Sequence, residues 1–253
     1  MSDSVANARQ TIQRLAAIPE APMRRRVFYK HLLRHGLDEA CVFVDTLVRD
    51  TLHKKKPAVE SYEALLDPDV IVETVGSERL DMMVARSREI ECYASVLWLL
   101  APAQRSDGEE VALKTLLHRD LRELTLGHRR SLARKARGDE LDKLLSDPDP
   151  IVIGHLLANP AMTEQQVIAL SARRPTVSSA LEVVMDTGWI RRYRVKTALA
   201  QNPYLNSKRA TVLLPLLHRR DIRSIAHDQT LSVDVRECAQ HLGAMWNDNE
   251  FTS

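Results

Sequence analysis

Apolar residues recur at helical spacing along most of the chain. In "PDPIVIGHLLA" (148–158) they fall at 152, 153, 156 and 157, one stripe of a helix. The Asn-Pro step at 159–160 ends that stripe, because proline lacks a donor and restricts the residue before it. Thr163, followed three residues on by Gln166, makes a capping box that starts the next helix, and Pro175 stops it. "TVSSALEVVMD" (176–186) reads as a third helix, with Thr176 as its cap and Gly188 past its end. Then the cycle restarts. "HLLANPAMTEQQVIAL" (155–170) and "ALAQNPYLNSKRATVL" (198–213) stand 43 positions apart, so that Leu156, Asn159, Pro160 and Leu170 fall on Leu199, Asn202, Pro203 and Leu213. The pattern predicts helices over 149–158, 163–173, 176–186, 191–200 and 206–217. Asn206 replaces Thr163 as cap, and Pro215 should kink the last of them.

A clipped copy follows in "SIAHDQTLSVDVRECAQHL", where Ser232 caps a final helix. Upstream, "LLSDPDPIVI" (144–153) echoes "LLDPDVIV" (65–72). The N-terminal half predicts less regular helices near 4–17, 23–35, 38–53, 58–66, 78–87, 90–101 and 109–119. The exposed loops expected are 103–110 and 135–140. No stretch alternates with period two long enough to be a strand. The organisation expected is a divergent helical half (1–120) and a repeat region (121–253), continuous with one another.

Composition agrees with an all-α chain. Among 253 residues there are 8 glycines and 4% aromatics, few for a β fold. The longest apolar run, "SVLWLLAPA" (95–103), is too short for a bilayer, which needs about 20 residues. The N-terminus has no apolar core of the signal-peptide kind, so a cytoplasmic location is expected. Cys41, Cys92 and Cys238 are odd in number and far apart, and read as plain buried thiols rather than a disulfide or zinc set. No cofactor motif and no local signature of a catalytic nucleophile occurs. His31 and His35 stand i, i+4, yet the stretch "HLLRH" lacks the acid of a metalloprotease helix and reads as a solvated helix end. The Asp-Pro-Asp steps at 67–69 and 147–149 read as helix N-terminal acids, favoured by the macrodipole.

Charge is uneven. Residues 1–120 hold 17 Lys/Arg against 19 Asp/Glu, and residues 121–225 hold 18 against 10. The candidate contact residues are therefore basic: Arg129 and Arg130, Arg173 and Arg174, and Arg191, Arg192, Arg194 and Lys196 around Tyr193 and Trp189. Arg192 and Lys196 are expected to share an outer helix face. Aligned along a helical array, such residues would form a stripe attracting an acidic protein or phosphate. The alternative is a dispersed surface on which they pair with Asp139, Glu140, Glu182 and Asp186.

A period of 43 with two or three helices suits HEAT and armadillo arrays. Residues 120–245, with "LLSDPDPIVIGHLLANPAMTEQQVIAL" and "RVKTALAQNPYLNSKRATVL", resemble bacterial HEAT-like and leucine-rich repeat variant solenoids. The resemblance implies a right-handed α-solenoid that holds a partner on an extended surface. The cysteine cluster of one such variant, which carries an iron–sulfur centre, is missing here, so that centre is not expected. The function expected is a non-enzymatic scaffold for another protein. The alternative is a DNA-binding HEAT-like protein, with a glycosylase built on Asp186 and Trp189 as a remote variant.

Overall fold

The computed structural model describes residues 2–95 and 116–247, and these are helical without a strand. The loop expected over 103–110 lies outside them, as do most of the helices expected over 90–101 and 109–119. Among the described residues no helix is long and apolar enough to cross a membrane. Contacts gather the chain into two units, one within Met1–Ala103, Thr211–Asp228 and Val233–Ser253, the other within Gln104–Ala210 and Gln229–Ser232.

The first unit contains α1 (Ser2–Ala16), α2 (Ala21–Arg34), α3 (Leu37–Leu52), α4 (Lys56–Tyr62), α5 (Pro68–Val75) and α6 (Ser77–Glu89). Ala8, Ile12 and Leu15 make the buried stripe of α1, and Phe28, Tyr29 and Leu32 that of α2. In contrast α3 buries ten of its sixteen residues, which marks it as the central helix. It packs on α1, α4 and α6. Lys54, just past α3, takes a left-handed φ of 58°. Its Nζ donates to the Pro215 carbonyl at 2.9 Å, within a 3₁₀ turn (Leu214–Leu216). Tyr62, fully buried, donates its hydroxyl to the Val212 carbonyl at 3.0 Å. Helix α5 starts at the Asp-Pro-Asp step of 67–69, which the sequence marks as a helix start without giving the helix its range. Gly76, at φ 85°, supplies the left-handed residue that separates it from α6.

The second unit begins with α7 (Leu126–Ala133) and α8 (Gly138–Leu144), neither of which the sequence pattern picks out. Their apolar content explains why: α7 buries only Ala133, and α8 only Leu141 and Leu144. The next helices fall where the pattern puts them: α9 (Pro150–Leu157), α10 (Glu164–Ala172), α11 (Ser178–Met185), α12 (Tyr193–Ala200) and α13 (Ser207–Leu213), of which α13 runs from residues of the second unit into residues of the first. Asp149 caps α9 through the Val152 amide, and Thr163 with Gln166 forms the capping box of α10. Asn206 accepts from the Lys208 amide at the start of α13. One cap differs from expectation. Thr176 is buried, and α11 starts after Val177 with no side-chain cap. Pro215 does not kink α13; the α-helix stops at Leu213 and gives way to the 3₁₀ turn. The chain then adds α14 (Arg219–His227) and α15 (Val233–Asn247), which belong to the first unit.

Leu156, Leu170, Leu199 and Leu213 are all buried, as the aligned pattern requires. The two asparagines of the repeated motif do more than end a helix. Asn159 is buried and its Nδ2 donates to the carbonyls of Ala133 and Ala136, at 2.9 and 3.0 Å. Asn202 is likewise buried and donates to Ser171 and Arg173, at 2.8 and 3.0 Å. Both side-chain oxygens accept from the amide two residues on, Ala161 and Tyr204, at 2.9 and 3.0 Å. Each asparagine thus satisfies the orphan carbonyls where an earlier helix ends, α7 in one case and α10 in the other.

Two outcomes follow from this packing. Replacing Asn159 or Asn202 with Ala strands two carbonyls, so each change should cost about 2–4 kcal/mol in a urea titration. A loss below about 0.5 kcal/mol at either site would remove its structural role. Burial also pushes the thiols of Cys92 and Cys238 up to about 12. Iodoacetamide at neutral pH should label neither in the folded protein and both in urea, read by mass spectrometry.

Candidate functional site

The basic residues singled out from the sequence divide into two classes. Most serve the fold. Arg129 Nε lies 2.7 Å from Asp147 Oδ2, with 14% of the arginine side chain and none of the aspartate exposed. The same guanidinium donates to the Leu124 carbonyl at 3.1 Å, so it ties the start of α7 to the turn before α9. Arg130 pairs with Asp149 at 3.0 Å. Burial alone would raise the Asp149 carboxyl, but Arg130 and the Val152 amide outweigh it and hold it below its usual range. Asp147 in turn accepts from the Asp149 amide at 3.0 Å. The Asp-Pro-Asp step is therefore a helix-start device that fastens two arginines.

Arg173 is half-buried, and burial lowers its pKa. It donates to the Leu116 carbonyl at 3.3 Å. Arg174 is exposed and donates to the Gln201 carbonyl. Trp189 sits in a 3₁₀ turn (Gly188–Arg191), and its indole donates to the Leu157 carbonyl at 3.0 Å, at the end of α9. Tyr193 is half-buried, and its carbonyl accepts from the Thr197 hydroxyl at 3.1 Å.

Lys196 corrects one expectation. It is only 6% exposed, on the side of α12 that also buries Val195, Leu199 and Ala200. Arg192 is the residue before α12, with extended backbone, and its carbonyl accepts from the Lys196 amide at 3.1 Å, but the two side chains do not share an outer face because Lys196 is buried. Besides Arg174, the candidates that stay exposed are three arginines, Arg191, Arg192 and Arg194, at the start of α12. Arg192 faces Glu164 at 3.8 Å, a loose and exposed ion pair worth at most about 1 kcal/mol. Asp186 stands 3.8 Å from Arg209.

A cleft of about 620 Å³ opens beside these ion pairs, and no pattern in the sequence marks it. Its walls are Leu117, Leu126, Pro148, Pro150 and Val177, with Arg122, Arg129, Asp149 and Ser179 as polar groups. Comparison with family models, with curated proteins and with solved structures finds no match.

The ion pairs make two outcomes measurable. Asp147→Ala leaves Arg129 nearly buried without its carboxylate and should cost about 3–5 kcal/mol in chemical denaturation. Asp149 has a folded pKa below its ordinary value of 3.8, so its contribution is whole above that value. That contribution is lost as pH falls through the lower folded value. Stability measured from pH 5 to pH 2 should therefore fall less steeply in Asp149→Asn than in the parent. Parallel curves would contradict the assignment.

Proposed function

We propose that this chain is a cytoplasmic, non-enzymatic scaffold whose second unit is a short right-handed stack of HEAT-like helical units. The observation that carries this is the pair of asparagine braces 43 residues apart, each joining a helix end to an earlier helix. A unit that must satisfy its neighbour's carbonyls is built to be stacked. Stacking leaves surfaces on which a partner can lie. Here the exposed charge on one of them is Arg191, Arg192 and Arg194. The partner these arginines suit is a protein with an acidic surface, drawn in by long-range attraction and held by guanidinium–carboxylate pairs.

A second reading rests on the excess of eight positive charges over residues 121–225, where 18 Lys/Arg face 10 Asp/Glu. It takes phosphates of nucleic acid as the ligand. The burial of Lys196 and the internal pairing of Arg129 and Arg130 reduce the charge available to it.

The experiment is a titration of the full chain with a polyglutamate-rich peptide and, separately, with a random-sequence duplex, each at two salt concentrations. The scaffold reading expects peptide binding that the triple change of Arg191, Arg192 and Arg194 to Ala weakens by about tenfold or more, mainly through slower association. Duplex should not compete. Steep salt-dependent duplex binding, lost in the triple variant, would replace it with the nucleic-acid reading. Binding of neither ligand would remove the arginine surface from both.

A further inference from the structure

His31 and His35, at the end of α2, are half-buried. Helix α2 carries His31, His35 follows its last residue, and α3 begins two residues further on, past Gly36. That tight connection brings Glu39, in the first turn of α3, to His35. Its Oε2 lies 2.9 Å from His35 Nδ1. The two imidazole rings stand 4.0 Å apart, and the His31 ring packs 4.4 Å from the buried ring of Phe43. One ligand atom from each of His31, His35 and Glu39 falls within 4.8 Å of the others. Bonds of about 2 Å in a tetrahedral zinc site put ligand atoms about 3.3 Å apart, so the three need only a small convergence.

The frame behind them is fixed. Arg79, from α6, donates to the Leu32 carbonyl at 2.9 and 2.6 Å and to the His35 carbonyl at 2.6 Å. These bonds close the end of α2 and hold the His35 backbone. Ala40 and Phe43 are fully buried and anchor the first turns of α3. The freedom that remains is where a ligand set needs it. The lone pairs of an imidazole lie in the ring plane, so the stacked rings must turn about χ2, a broad and soft torsion.

A cleft of about 420 Å³ opens beside the cluster, and α1 contributes Asn7, Gln10, Thr11 and Arg14 to its lining. We propose that His31, His35 and Glu39 form a binding site for a late first-row divalent cation of the zinc class, with its remaining coordination position open to this cleft. Two imidazoles and one carboxylate are the borderline donor set that such ions prefer over calcium or magnesium, which take oxygen. Three protein ligands leave a place for water or an incoming group. The cation would replace the His35–Glu39 ion pair and draw both groups to itself. With Glu39 engaged by the cation, Arg14 is the other charged group of the cleft wall, so the group suited to the open position is an anionic oxygen, as in a carboxylate or phosphate. This site is in the first unit and does not depend on the scaffold reading.

The test uses the full chain after chelator treatment, titrated with Zn²⁺ by calorimetry and with Co²⁺ by visible absorption. One equivalent should bind with micromolar affinity or better, and the melting temperature should rise with added Zn²⁺. His35→Ala and Glu39→Gln should each weaken Zn²⁺ binding by at least roughly tenfold, with metal-free melting unchanged. Both side chains are well exposed, at 39% and 52%, so folding should survive the changes. His241→Ala, in an exposed position, should bind as the parent does. The Co²⁺ complex should show d–d bands without a sulfur charge-transfer band. Absence of saturable binding below millimolar Zn²⁺ would overturn the proposal. So would binding that persists in both variants, or a thiolate band that moves the ion to a cysteine.

Discussion

A helix of eight residues spends half its length on unsatisfied ends. That constraint governs the second unit, where α7, α9, α11 and α12 each have eight residues and α10 has nine. Their last four carbonyls have no partner within the helix, and packing hides many of them from water. Each orphan costs free energy on the scale of a whole hydrogen bond. The buried amides of Asn159 and Asn202 answer this constraint, and the same side chains fold the following turn by accepting an amide two residues on. Aspartate could not do the same work, since it has no hydrogen to give. The indole of Trp189 on Leu157, and the guanidinium groups of Arg173 on Leu116 and Arg174 on Gln201, belong to the same economy of short helices. Side chains with several donors sit where carbonyls would otherwise go unpaired.

This explains why charge in the sequence overstates charge on the surface. Arg129 and Arg130 look like a basic patch in "HRRSLARKAR", yet both are fastened to the Asp-Pro-Asp step eighteen or nineteen residues on. Lys196 looks like the outward partner of Arg192 and is instead packed with Val195 and Leu199. A count of cations by stretch cannot distinguish a guanidinium that closes a helix end from one that faces solvent.

The helices between 150 and 213 were legible because three signals agreed: apolar spacing, an N-cap with its box at Thr163, and a proline stop. Helices α7 and α8 were not legible, because a helix of seven or eight residues with one or two buried positions leaves no stripe. The positions of Asn159 and Asn202 could be read from the repeat, but their role could not. Their acceptors lie 23 to 31 residues away, on helices that local pattern does not connect to them. The histidine pair was visible, and its third member was not. Glu39 is four residues past His35, but Gly36 intervenes and the helix restarts, so a face-by-face reading does not pair them. The large cleft is assembled from Leu117, Pro148 and Val177, whose only common property is position in the fold.

The composition of the first unit sets an order of events during synthesis. Tyr62 is fully buried, and its hydroxyl finds its acceptor at Val212, 150 positions later. Lys54 waits as long for Pro215. The central helix α3 packs on that same 3₁₀ turn and on α15. A nascent chain therefore carries the apolar faces of α3 and α4 incomplete while the ribosome makes everything in between. The second unit draws nearly all its residues from one uninterrupted stretch, 104–210, and has nothing to wait for beyond its own length. The part made first is the part finished last.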